Sequence, residues 1–288
     1  AQGDASTGKL LAAQAGLSGI LFTGSASAGL SLHRLYSDTP EKMLALEMGG
    51  NNPLVIHDIN DTTAACQHVM VSAFITSGQR CSCARRLIVV DTPANRSFID
   101  MLLENTKKLM VGPYTQIPEP FMGPLISAAA ATRSQMAYEA LVKMGAKPLI
   151  PLEHRSPAWI NPSIIDVSGI ANLPDEEIFG PVLQLHWVRD IEEAIAVANQ
   201  TSFGLSAGIF TASPAHHTHF FQHSHAGIVN WNRPLTGASS LAPFGGIGKS
   251  GNHRPSAYFA ADYCVYPVAS QEESQLQPLA NPLPGMPL

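Results

Sequence analysis

The chain has little cysteine, little charge and no long hydrophobic run. Only four cysteines occur among 288 residues, at positions 66, 81, 83 and 264. Cys81-Ser82-Cys83 has one intervening residue and no second pair follows, so neither a disulfide framework nor a zinc signature is present. A reducing cytoplasm is the expected compartment. Charged residues make up 14%, the formal net charge is −5, and lysine or arginine runs are lacking. That excludes the electrostatic footprint of a protein that binds nucleic acid or an anionic membrane. The apolar stretch from Leu17 to Leu32 is broken repeatedly by Gly and Ser, and no basic segment leads into an apolar core. Neither export nor membrane insertion is therefore expected. The initiator Met is also missing, and the abrupt start at Ala1 suggests a fragment or a shortened gene product. What is there, 45% hydrophobic residues, suffices for a large core in one or two domains and suits a small-molecule substrate.

Helical and strand-like runs alternate along the chain. Helices are expected over 6–15, 26–36, 62–76, 95–109, 128–144, 191–199 and 214–222, with Asp61 as an N-cap and Gly78 near a helix end. Strands are expected over 19–22, 43–46, 54–57, 86–90, 182–188, 206–210, 227–231 and 258–266. The pattern predicts an α/β fold with crossover helices. From Ser270 the periodic apolar positions stop, which suggests a loose tail.

Two residues stand out chemically. Glu47 follows the apolar run Met43 to Leu46, and Cys81 ends Ser77-Gly78-Gln79-Arg80-Cys81. A carboxylate and a thiol in glycine-flanked turns can act as base and nucleophile in one cleft, which points to covalent aldehyde chemistry. Desolvation beside Leu46 and Met48 would raise the Glu47 pKa, and Arg80 next to Cys81 would favour the thiolate. The plainer alternatives are a capping or salt-bridging Glu and a buried, inert Cys. Cys83, two residues on, would face the other side of an extended segment, whereas Cys66 and Cys264 read as structural.

Leu21 to Gly29 runs strand, tight turn, helix start. Ser25 is the expected N-cap, and the free N–H groups there favour a phosphate, although an ordinary strand-to-helix turn fits equally well. His216, His219 and His223 have the i, i+3, i+7 spacing of one helix face. No cysteine or carboxylate accompanies them in sequence, so a solvated face is expected and no metal.

Together Phe22-Thr23-Gly24-Ser25, Glu47-Met48-Gly49-Gly50-Asn51, Gly78-Gln79-Arg80-Cys81, Glu177-Ile178-Phe179-Gly180-Pro181 and Pro243-Phe244-Gly245-Gly246 with Ser250-Gly251 resemble the aldehyde dehydrogenase superfamily. The match runs in order from about Gln2 to Val268. The runs 79–86, 230–237 and 251–258 look like the branch that oxidises N-succinyl-L-glutamate 5-semialdehyde in arginine breakdown.

The resemblance implies an open, parallel-rich catalytic sheet over 48–249, part of a Rossmann-like cofactor domain over 1–47, a return segment with an oligomerisation strand over 250–269, and the tail 270–288. It implies NAD as cofactor, lined by Gly24, Ser25, Ala26, Ser27, Ala28 and Gly29, with Glu177 on the nicotinamide ribose and Phe179 near the ring. Cys81 would attack the aldehyde and Glu47 would activate water. Arg80, Arg233 and Arg254 are candidates to pair with substrate carboxylates. A homo-oligomer is implied. The start of the chain would fall inside the family's cofactor domain, leaving the usual oxyanion-binding asparagine upstream of Ala1. The remaining readings are a non-catalytic interaction module that pairs through strand 258–266, and an enzyme for another aldehyde.

Overall fold

The computed structural model describes residues 2–287. Seven helices start on a side chain that accepts from the first free N–H groups. The caps are Asp4 for α1 (Ala5–Ala12), Ser25 for α2 (Ala26–Leu35), Asp61 for α3 (Thr62–Phe74) and Thr92 for α4 (Pro93–Lys107). Ser127 caps α5 (Ala128–Lys143), Asp190 α6 (Ile191–Ala198) and Ser213 α7 (Pro214–His223). In α4 and α7 proline occupies the first turn, where its missing N–H costs nothing.

The strands that matter are β1 (Gly19–Gly24), β2 (Met43–Met48), β3 (Pro53–Ile56), β4 (Arg86–Val90) and β5 (Lys147–Ile150). They are followed by β6 (Ser163–Asp166), β7 (Val182–Val188), β8 (Ser206–Phe210) and β9 (Ile228–Trp231). Seven of them form one sheet in the order β9-β8-β3-β4-β7-β6-β5, parallel throughout except where β5 runs against β6. Every residue of β3, β4 and β8 is buried, as expected where helices cover both faces. One face presents Leu54, Leu87 and Leu185 to Phe74, Phe98 and Leu102. The other presents Val55, Ile88 and Ile209 to Ala194 and Phe220. This is a mixed α/β fold with a large, mainly parallel sheet. β1 and β2 form a separate parallel pair, joined through α2, with Phe22 opposite Leu46.

Two expectations are corrected. The helix over 62–76 stops at Phe74 and turns sharply through Ile75–Gly78. The strand over 258–266 does not form. Ser256–Ala257 pair briefly with Pro243–Phe244, Ala257 has a left-handed φ of 61° that breaks the extended run, and Ala260–Tyr263 make a short helix, α8. Tyr258, Tyr266 and Cys264 are exposed there, so the interaction module loses the strand it required. No helix or strand occurs from 265 to 287 among the described residues.

Candidate active site

Glu47 lies near the end of β2, at the seam between the two sheets. The return segment grips that strand. Asn252 accepts from the Leu46 N–H at 2.8 Å and donates to the Leu44 carbonyl at 2.7 Å, and the Met48 N–H donates to the Ser250 carbonyl at 3.0 Å. Glu47 is 8% exposed and its Oε2 has no hydrogen-bond partner. Desolvation pushes its carboxyl up to about 7, only partly offset by the Ser256 N–H.

Cys81 arrives by a different route. After α3 the backbone takes three consecutive left-handed residues, Thr76, Ser77 and Gly78, with φ of 55°, 57° and 68°. A side chain at Gly78 would run into the Gly180 carbonyl, so the close approach demands glycine. Ser77 steadies the turn by donating to the Gly123 carbonyl at 2.7 Å. Asn52 then fixes the loop that carries Cys81, donating from Nδ2 to the carbonyls of Cys81 at 2.6 Å and Cys83 at 2.9 Å. The segment is a turn rather than an extended run. Cys83 is fully buried, and only Cys81 is half-exposed on the cavity.

Arg80 does not make Cys81 acidic, contrary to the sequence expectation. Its Nε donates to the Thr76 hydroxyl at 2.9 Å. Burial first, then the Glu177 and Glu47 carboxylates, push the Cys81 thiol up.

Both side chains line one cavity of about 720 Å³ that reaches from Thr23, Gly24 and Ser25 past Glu47 and Cys81 to Glu177 and Phe179. Ser25 accepts from the Ala28 N–H at 3.3 Å and contacts the Ser27 hydroxyl at 3.0 Å, so Ala26, Ser27 and Ala28 form the first turn of α2. Gly29 has a packing role: a Cβ there would strike the Met48 sulfur. Gly49 has a similar constraint, because its Cβ would coincide with the Glu177 carboxylate.

Sequence reasoning missed the residues that hold these parts in register. Arg85 is fully buried; its Nη2 donates to the Arg80 carbonyl at 3.0 Å and Glu177 Oε1 at 3.3 Å, and its guanidinium lies 5.3 Å from the Phe179 ring centroid. Burial pushes the Glu177 carboxyl up, against the pull of Arg85. Asp175 accepts from the Ser202 hydroxyl at 2.5 Å, Thr201 at 2.6 Å, the Ser202 N–H at 2.7 Å and Asn51 at 3.1 Å, and these donors hold it down at about 2 despite burial. The signals were Asn51-Asn52 after two glycines, and two arginines opening an otherwise apolar strand.

Of the three candidate arginines, Arg80 lines the cavity. Arg233 and Arg254 are exposed and lie outside its lining, whereas Arg133 of α5 contributes a second guanidinium to it.

The surrounding sequence and fold have close counterparts. A relative from Hahella chejuensis named N-succinylglutamate 5-semialdehyde dehydrogenase is 50% identical over 289 residues, covering 100% of this chain and 59% of that protein. One of the same name from Burkholderia ambifaria is 50% identical over 287 residues, covering 99% and 59%. The chain thus spans 59% of the length of the curated relatives it matches. Among solved structures, an NAD-dependent aldehyde dehydrogenase from Sinorhizobium meliloti superposes with a TM-score of 0.82 at 27% identity, over 90% of this chain and 51% of that one. Aldehyde dehydrogenase 21 from Physcomitrella patens, solved with its reaction product succinate, gives 0.81 at 27% identity, over 90% and 53%. A sequence model of the aldehyde dehydrogenase family matches residues 1–266, and the chain belongs to that family.

Proposed function

We propose that this chain carries the catalytic residues for NAD-dependent oxidation of N-succinyl-L-glutamate 5-semialdehyde to N-succinyl-L-glutamate. The observation that carries the reading is the single cavity shared by Cys81, Glu47, Glu177 and the start of α2. The substrate rests on the names of the 50% identical relatives.

The residues fit a dinucleotide. Gly49 lacks the Cβ that would displace the Glu177 carboxylate, and Gly24 and Ser25 bring the free N–H groups of α2 to the same cavity. In this proposal Gly24 to Gly29 form the phosphate-side turn, Glu177 holds the ribose hydroxyls and Phe179 packs beside the ring. When bound, the oxidised nicotinamide supplies a hydride acceptor and a positive charge near the thiol.

Cys81 Sγ, deprotonated, adds to the aldehyde carbon and forms a C–S bond. Loss of hydride from that carbon leaves a thioester. Glu47 takes a proton from water as the water oxygen attacks the thioester carbon; the C–S bond breaks, releasing the carboxylate and returning Cys81. The partly desolvated position of Glu47 suits this work, since a carboxyl held near 7 is a stronger base than an exposed one. Arg80 pairs with a substrate carboxylate. Arg233 and Arg254, the other candidates for that role, are exposed and stand outside the cavity lining. The four free cysteines suit a cytoplasmic setting, and a homo-oligomer is part of the same proposal.

The test is formation of reduced nicotinamide from the purified chain, NAD and the semialdehyde. Turnover abolished by Cys81→Ala supports the assignment, whereas equal rates in the two proteins remove Cys81 from the mechanism. Calorimetric titration with NAD reads the dinucleotide site separately.

A further inference from the structure

We propose that His57, Asp58 and His216 form a binding site for a borderline divalent metal ion of the zinc type, apart from the catalytic cavity. His57 and Asp58 follow directly on β3, and His216 stands in the first turn of α7. One ligand atom from each of the three lies within 4.8 Å of the others. The Asp58 carboxylate oxygen Oδ1 is 2.9 Å from His57 Nδ1 and 3.7 Å from His216 Nδ1. Two donors bound about 2.0–2.1 Å from zinc at a tetrahedral angle stand roughly 3.3 Å apart. These two separations bracket that value.

Three further observations favour an ion. His216 Nδ1 is buried and lacks a hydrogen-bond partner, a state that costs free energy unless something binds the nitrogen. The two imidazole rings are neighbours, with centroids 4.2 Å apart and planes tilted by 58° rather than stacked face to face. Thr211 donates its hydroxyl to the same Asp58 oxygen, the kind of outer hydrogen bond that orients a ligating carboxylate. The backbone is fixed as well: the His57 carbonyl accepts from Asn95 at 2.7 Å and the Asp58 carbonyl from the Ala212 N–H at 2.7 Å. Two imidazoles and one carboxylate select zinc or cobalt over magnesium or calcium, which take oxygen. None of the three residues lines the cavity around Cys81; they sit at the opposite end of β3 from Asn52. The ion would therefore tie α7 to the sheet.

Cobalt(II), added to the full chain, is the probe. Expected is a visible d–d absorption of four-coordinate strength without a thiolate charge-transfer band. That spectrum is lost in His216→Ala and in Asp58→Asn, and kept in Cys81→Ser and in His219→Ala, which removes the neighbouring histidine paired with Glu192 at 2.8 Å. Zinc affinity, read by competition with a chromophoric chelator, falls at least tenfold in the first two variants, since even outer-shell changes cost about 10–100-fold. Zinc raises the melting temperature of the parent chain, of Cys81→Ser and of His219→Ala, and not that of His216→Ala or Asp58→Asn. Circular dichroism checks folding, and His57→Gln replaces His216→Ala should that variant not fold. A parent chain without the absorption, a parent-like spectrum in His216→Ala, or loss of the band in His219→Ala or Cys81→Ser overturns the proposal and leaves a histidine–carboxylate ion pair or another site.

Discussion

Arg85 donates from one nitrogen to both the Arg80 carbonyl, one residue before Cys81, and the Glu177 carboxylate, at 3.0 and 3.3 Å. A single guanidinium with no solvent exposure therefore sets the Cys81 loop against the residue proposed to hold the ribose. Arg85→Ala leaves Glu177 largely buried and unpaired, and is expected to destabilise the fold by ~3–5 kcal/mol. Adding Glu177→Gln recovers part of that loss. Urea unfolding of the two single variants and the double variant checks the coupling. Additive losses would mean that the two side chains do not act on each other.

Gly49 sets a limit of another kind. The collision of a Cβ with the Glu177 carboxylate predicts that Gly49→Ala costs about 1–3 kcal/mol of stability by overpacking. NAD binding should fall at least tenfold, equivalent to ~1.4 kcal/mol. Calorimetric titration with NAD reads the second effect; unchanged affinity would separate Glu177 from the dinucleotide.

The raised Glu47 carboxyl gives a pH prediction. Only the ionised form takes a proton from water, so the competent fraction is large above pH 7 and falls about tenfold per unit well below it. Thioester hydrolysis should show an acidic limb with an apparent pKa near 7. Glu47→Gln should remove the limb and lower the rate by ~10²–10⁴-fold. A limb that persists in the variant belongs to another group.

Thiol labelling should follow burial and charge. Cys264, exposed, is alkylated first; Cys81 follows, faster as the pH is raised past 9, because burial and two carboxylates disfavour its thiolate. Cys66 and Cys83, buried, react only on unfolding. Peptide mapping after timed alkylation tests the order, and early modification of Cys83 would contradict the turn geometry around it.

Most strands and helix starts were legible because capping and apolar periodicity are local. Asp61 and Ser25 cap where the sequence indicates, and Val182–Val188 and Ser206–Phe210 match their expected bounds. The run 258–266 misled because its apolar residues have no partner strand, a fact that only tertiary structure supplies. The effect of Arg80 was misjudged for a related reason. Adjacency in sequence says nothing about where a guanidinium points, and this one turns back to Thr76. Asn52 and Arg85 act across 29 and 92 positions, to Cys81 and Glu177, distances that no local pattern encodes.

The left-handed turn at Thr76, Ser77 and Gly78 has a consequence for heat inactivation. Non-glycine residues there cost about 1–3 kcal/mol each and persist only while the surrounding chain enforces them. Part of that enforcement comes from the Gly123 carbonyl, which accepts from the Ser77 hydroxyl across 46 positions. A partly melted molecule has therefore already lost the sulfur's alignment, so turnover should vanish before, or together with, the helical signal on warming, and never outlast it.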